Sequence, residues 1–345
     1  MGRLLDNNSA LAWLDAERAN LVAVVAYAAE HGPRQAAWLL ADALRCYFVR
    51  RMYTVDGLAV AHAGLAAAQA DGEGRAEAAA RLSFADFHAR QGRYLPAVEH
   101  CTQALTHARR TGWLDGQATA LGKLGIIYWQ LGRLQEAAEQ YTEALTIDRT
   151  TGRRSGQAVR LNNLGTVCSQ LGRLAEAADH QSEALALYRE LGVRGGEASN
   201  LSNLGENEHQ LGRIEQALDH LSQALRLHRE VGDRGNEAET LRVLAEVHCD
   251  AGRHRYALEL ATTAAALARD TIEDRLTKYQ EAVDHHEQAL GLAGRRRPAI
   301  PRSSPSSGWP PPTSASTTLT RRSAAPSRPS PSPAGPATGS SKARR

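Results

Sequence analysis

LGKLGIIYWQLGRLQEAAEQYTEAL, residues 121–145, decides how the whole chain is read. Leu121, Leu124, Tyr128 and Leu131 succeed one another at steps of three and four, and after Gly132 the series Leu134, Ala137, Ala138, Tyr141, Ala144 and Leu145 does the same. Such steps put side chains on one face of an α-helix. The stretch therefore predicts two amphipathic helices parted at Gly132, a residue suited to the left-handed cap that ends a helix. It recurs forty residues on as LNNLGTVCSQLGRLAEAADHQSEAL (161–185) and again as LSNLGENEHQLGRIEQALDHLSQAL (201–225). Gly92-Arg93, Gly132-Arg133, Gly172-Arg173, Gly212-Arg213 and Gly252-Arg253 keep that step of 40 without a slip, and Gly112, Gly152, Gly192 and Gly232 mark the ends of the second helices.

Working outward, no β signal interrupts the array. Proline is absent from 97 to 297 and no alternating β-branched run appears, which excludes a propeller blade or a leucine-rich repeat. One helical hairpin cannot bury its own apolar face, so hairpins must stack, and the expected fold is all-α, a right-handed α-solenoid with a 40-residue period. Before residue 76 the repeat fades, but 10–31, 33–52 and 54–70 still read as helices punctuated by Gly32-Pro33 and Asp71-Gly72. These predict an N-terminal extension or cap over 1–75, ahead of an array over 76–294. Within 270–294, Glu281-Ala282 and Gln288-Ala289-Leu290 resemble a second helix but arrive 25 residues after Tyr256-Ala257, so most of a first helix is missing. Residues 295–345 hold eleven of the thirteen prolines, many serines and no acidic residue. That composition predicts disorder, and the abrupt switch suggests the out-of-frame or decayed end of a longer array.

Composition agrees with thin, closely packed helices: aromatic residues make up 5% and Phe occurs three times, so Ala and Leu must fill the interior. The overall charge of +3 conceals a division. Ten basic residues lie in 295–345, which leaves 1–294 at −7, and that argues against a specific nucleic-acid surface on the folded part. Cys46, Cys101, Cys168 and Cys249 are far apart and have no paired spacing; reduced, mostly buried thiols are expected. No leader-like start and no uncharged apolar run of 18 residues is seen, so a cytoplasmic chain without membrane contact is expected.

Signs of catalysis are missing. Gly72-Glu73-Gly74 lacks the lysine and hydroxyl residue of a phosphate loop and follows no strand. Glu206 with Glu208, or Glu237 with Glu239, stand two apart on a helix and do not face each other. His100, His180, His220 and His285 share one slot of the second helix. Equivalent helices in a stack lie about 8–10 Å apart, too far for one metal to join them. No cofactor, metal, small-molecule substrate or enzymatic activity is expected.

Leu121, Leu124, Gly125, Tyr128, Ala137, Tyr141 and Ala144 match the tetratricopeptide repeat (TPR) signature, with its small residue amid the first helix and two alanines on the second. Leu161, Leu164, Gly165, Cys168, Ala177 and Ala184 repeat it, as do Leu201, Leu204, Gly205, Ala217, Leu221 and Ala224, while Ala85 and Ala245 replace the glycine in the outer units. The chain thus resembles TPR proteins, and the 40-residue spacing is similar to the longer variety of kinesin light chains and bacterial regulators. The resemblance implies a module that binds a protein or peptide in a concave groove lined by the first helices. It implies as groove residues Ile126, Trp129, Gln130, Asn162, Asn163, Thr166, Gln170, Asn203, Glu206, His209, Gln210, Arg242 and Glu246. The amides at 130, 170 and 210 and at 163 and 203 suit an extended backbone, or else merely hydrate helix ends. Trp129 is either an anchor or packs on Tyr128 or the next unit. Lys123 is the only lysine in the region, unlike grooves that clamp a terminal carboxylate. WLDAERANL (13–21) ahead of the array resembles the C-terminal half of actinobacterial SARP/NB-ARC-type transcriptional regulators, which implies as an alternative a sensor or docking fragment lacking their DNA-binding and ATPase domains.

Overall fold

The computed structural model describes residues 7–289, with side chains over 9–272, all within one compact unit spanning residues 1–292. Among the described residues every element is a helix: α1 (Asn7–His31), α2 (Arg34–Arg51), α3 (Thr54–Asp71), α4 (Gly74–Arg90), α5 (Tyr94–Arg110), α6 (Leu114–Gln130), α7 (Leu134–Thr150), α8 (Arg154–Gln170), α9 (Leu174–Leu191), α10 (Arg194–Gln210), α11 (Ile214–Val231), α12 (Arg234–Asp250) and α13 (His254–Ala289). They form the expected α-solenoid. Each first helix pairs with the second helix that follows it, and each pair packs on the next, from α2/α3 through α12/α13.

The sequence pattern sets this packing. Ala97, Ala104, Ala137, Ala144, Ala177, Ala184, Ala217 and Ala224 are wholly buried, as are Leu121, Leu161 and Leu201. Small residues let the paired helices approach. A Cβ on Gly125 would lie 2.5 Å from Tyr141 Cε1, and one on Gly205 would lie 2.6 Å from Leu221 Cγ. Turns close by backbone alone: the Arg133 N–H donates to the Tyr128 carbonyl at 2.8 Å while Gly132 turns through φ +72°, the reciprocal C-terminal motif that satisfies orphan carbonyls.

Left-handed residues fall at a step of twenty along the whole described chain: Gly32, Met52, Gly72, then the glycines on that step from Gly92 to Gly252. The period expected to fade before residue 76 persists in the backbone, with Met52 (φ 62°) standing where later units have glycine. At the other end Ile272 occupies the slot of Gly112, Gly152, Gly192 and Gly232. With no left-handed stop there, α13 runs on unbroken to Ala289, so the second-helix remnant expected near 281–289 continues this helix and does not form a hairpin of its own. The tail from 295 lies outside the described residues.

Two details correct or extend the sequence reading of the interior. Only Cys101 and Cys168 are buried; Cys46 and Cys249 are exposed, and all four are free. Asp148 is fully buried, bonded by Arg153 Nε at 2.7 Å and approached by Arg160 Nε at 3.6 Å. Arg160 reaches across α6 to the Ala118 carbonyl at 3.3 Å. It has room because Gly122 has no side chain: a Cβ there would fall 2.1 Å from Arg160 Nη1.

Candidate functional site

From α3 onward, first helices of successive units reach one another, as α4 does α6, α8 does α10 and α10 does α12, more closely than second helices do. The stack therefore bends toward its first helices, and their free faces form its concave side. All the groove residues expected from sequence lie on α6, α8, α10 and α12.

Many of them are occupied by their neighbours in the next unit. Trp129 Nε1 donates to Gln170 Oε1 at 2.8 Å, while its ring packs against the buried cluster that includes Ala137, Leu161 and Leu164. Asn162 Oδ1 accepts from Asn200 Nδ2 at 3.0 Å and from Asn203 Nδ2 at 3.1 Å, and Asn203 also reaches Thr166 Oγ1 at 3.3 Å. Asn163 turns away to the Tyr141 side chain, whose phenol burial raises well above its ordinary value. Further along, Ser202 Oγ meets Thr240 Oγ1 at 2.9 Å and His209 Nε2 meets Asp250 Oδ2 at 2.8 Å. Lys123 is bound to Asp86 at the other end. Side chains at slots repeated every forty residues thus form a polar seam from unit to unit, the role that repetition alone leaves unresolved.

Four of the expected residues remain open. Ile126 is 43% exposed, an apolar side chain open to a ligand. Gln130 and Gln210 are exposed and make no hydrogen bond among the described residues, so their amides can serve a ligand as donors and acceptors. Glu206 is exposed beside Arg242, which is itself paired with Glu239 (Nη2 to Oε1 2.6 Å) and with Glu246. Partial burial raises the Glu206 carboxyl above its usual range, Arg242 opposes this, and repulsion from Glu239 and Glu246 adds to it. The hydrogen bond to Glu239 raises the Arg242 guanidinium. With Asp250 beside them, these groups give the α10–α12 end of the concave side an excess of negative charge.

Sequence reasoning missed Asn200, Thr240 and Arg160, which share one slot with Ala120, and the buried bond from Asn207 Nδ2 to Gln181 Oε1 at 2.6 Å. The available signal was that this slot varies between Ala, Arg, Asn and Thr while the adjoining slot keeps Leu. His100, His180 and His220 each stay on their own hairpin, and His285 lies outside the described side chains. No helix among the described residues is long and apolar enough to cross a membrane.

A tetratricopeptide-repeat family model matches residues 75–150, 118–190 and 196–270, together more than half of the chain. Among solved structures, BtubC (BKLC) from P. vanneervenii is 22% identical with a TM-score of 0.55, over 73% of this chain and 96% of that one. PilF of Pseudomonas aeruginosa is 17% identical with a TM-score of 0.53, over 73% and 99%. The signal transduction ATPase with numerous domains PH0952 from Pyrococcus horikoshii, which has a tetratricopeptide repeat sensor, is 14% identical with a TM-score of 0.62, over 80% of this chain but 44% of its own. These likenesses concern the fold. No curated protein matches the chain.

Proposed function

Because the chain belongs to the tetratricopeptide repeat family, whose members are generally non-enzymatic scaffolds holding protein or peptide partners, we propose that it binds an extended protein segment along the concave side of its first helices. The observation that carries this reading is the set left unoccupied there: one apolar side chain, Ile126, two unpaired amides, Gln130 and Gln210, and the charged group around Glu206. An extended backbone exposes donors and acceptors that glutamines can meet. The charge at the α10–α12 end favours a segment with Lys or Arg there, since opposite charges meeting across an interface steer encounter and reject wrong partners. Trp129, Asn162, Asn203, Thr166 and Gln170 act in this reading by fixing the spacing of the units, and His209, Arg242 and Glu246 by shaping the charged end.

Peptides displayed on phage and selected on the full chain test it. Selected sequences are expected to carry a basic residue, to lose about tenfold or more in affinity on Glu206→Lys, an interface charge reversal costing about 1.4 kcal/mol or more, and to weaken on Ile126→Asp. Selected peptides that bind both variants as well as the original chain would remove the groove assignment. A second reading, a sensor or docking arm of a larger regulator, is favoured by the sensor role of the repeats in PH0952 and by Trp13 in the lead motif, which is half exposed at the start of the stack.

A further inference from the structure

Second helices diverge on the outer side, and between α7 and α9 they leave a groove of about 450 Å³ lined on one wall by Glu139 and Thr142 and on the other by Cys168, Glu176 and His180. The ligand atoms of these last three lie within 4.8 Å of one another. Cys168 comes from the last two turns of α8, Glu176 and His180 from the first two turns of α9, four residues apart and so on one helix face. His180 Nε2 stands 3.7 Å from Glu176 Oε1. The forty-residue register makes the arrangement particular to this hairpin. The corresponding triplets are His88, Pro96 and His100; Tyr128, Glu136 and Gln140; Glu208, Gln216 and His220; and His248, Tyr256 and Leu260. Elsewhere the slots hold at most two donors, and only here do a thiol, a carboxylate and an imidazole converge.

We infer that Cys168, Glu176 and His180 form a binding site for a thiophilic divalent cation of the zinc type, with its fourth position open to the α7–α9 groove. Thiolate and imidazole together select zinc over calcium or magnesium, and three protein ligands with one open position is a zinc arrangement. A tetrahedral ion with bonds of about 2.0–2.3 Å holds its ligand atoms about 3.3–3.8 Å apart, so the three must draw in by roughly 1 Å. On binding, the Cys168 thiol gives its proton to solvent and the sulfur bonds the metal as thiolate. Arg173, whose Nη2 donates to Glu176 Oε1 at 2.6 Å, would be the outer partner that orients the carboxylate. Thiolate and carboxylate together balance the charge of the ion.

The test uses the metal alone. The full chain carrying Cys46→Ser and Cys249→Ser, which removes the exposed thiols, is stripped with chelator and titrated with cobalt(II), then with zinc. One equivalent of cobalt is expected to produce tetrahedral and thiolate-to-cobalt absorption that zinc abolishes. Cys168→Ser should remove the thiolate band, and His180→Gln, at a half-buried position that leaves the interior intact, should weaken binding by roughly tenfold or more. Cobalt spectra without a thiolate band, or unchanged in His180→Gln, would overturn the site whether or not Cys168→Ser folds.

Discussion

A left-handed backbone position costs an L side chain about 1–2 kcal/mol, and Met52 carries that cost where every later turn has glycine. Its side chain is exposed, with the sulfur accepting from Arg90 Nη1 at 3.2 Å, a weak contact that returns little. Met52→Gly gives up some unfolded-chain entropy, about 0.5–1 kcal/mol, yet relieves more strain than that. The expected outcome is a gain of roughly 0.5–1 kcal/mol, read as a higher midpoint in urea denaturation followed by helical circular dichroism. A lower midpoint would mean that the methionine contacts outweigh the strain. At this scale the sequence was legible where a residue type has one use: glycine at a turn, alanine at a helix crossing. It was not legible for Trp129, Gln170, Asn162 and Asn203, because a first-helix slot near the concave side also adjoins the next first helix, and only geometry tells a ligand-facing amide from one bonded to its neighbour.

Helix length in this molecule is set by punctuation more than by propensity. From α4 to α12 the helices stop at a glycine on the twenty-residue step, and α13 passes the missing one at Ile272 and extends to Ala289. The sequence showed a displaced second-helix remnant there, and the fused helix follows from one residue, Ile272, in a glycine slot. Ile272 is exposed and no unit among the described residues covers the outer face at the start of α13: Leu258 is 69% exposed, whereas Ala138 in the same slot of an internal unit is buried. Ile272→Gly should cost about 1 kcal/mol of local helix stability and restore a stop, so amides of residues 273–289 are expected to exchange faster with deuterium while those of α4 to α11 keep their protection. Unchanged exchange past 272 would show that propensity carries the helix without the glycine stop.

Across the whole molecule each hairpin touches only its neighbours, so stability sums over local terms, and titrating groups spread along the stack add up. His88, His100, His107, His228 and His248 are all lowered from their ordinary value, in each case first by burial. His88 and His100 stack with ring centroids 5.4 Å apart, Phe84 also stacks on His100, and His62 meets Phe84 edge-on. Arg93 and His62 add to the repulsion on His88; His88, Arg81 and His62 add to that on His100, which Glu99 opposes. In the unfolded chain these imidazoles protonate near pH 6.5, at a higher pH than in the fold. The unfolded state therefore binds more protons below that value, and the stability these histidines confer, complete above it, is lost as pH falls through the window down to their depressed values. Glu206 acts in the opposite sense, since its raised carboxyl takes a proton in the fold before it does in the unfolded chain, but only nearer the carboxylate range. The melting midpoint should thus fall between about pH 7.5 and about pH 5.5, and fall less steeply in a chain with His88→Asn and His100→Gln. A flat or rising midpoint over that interval would show that the unit-by-unit burial of histidine leaves no net proton-linked stability in the stack.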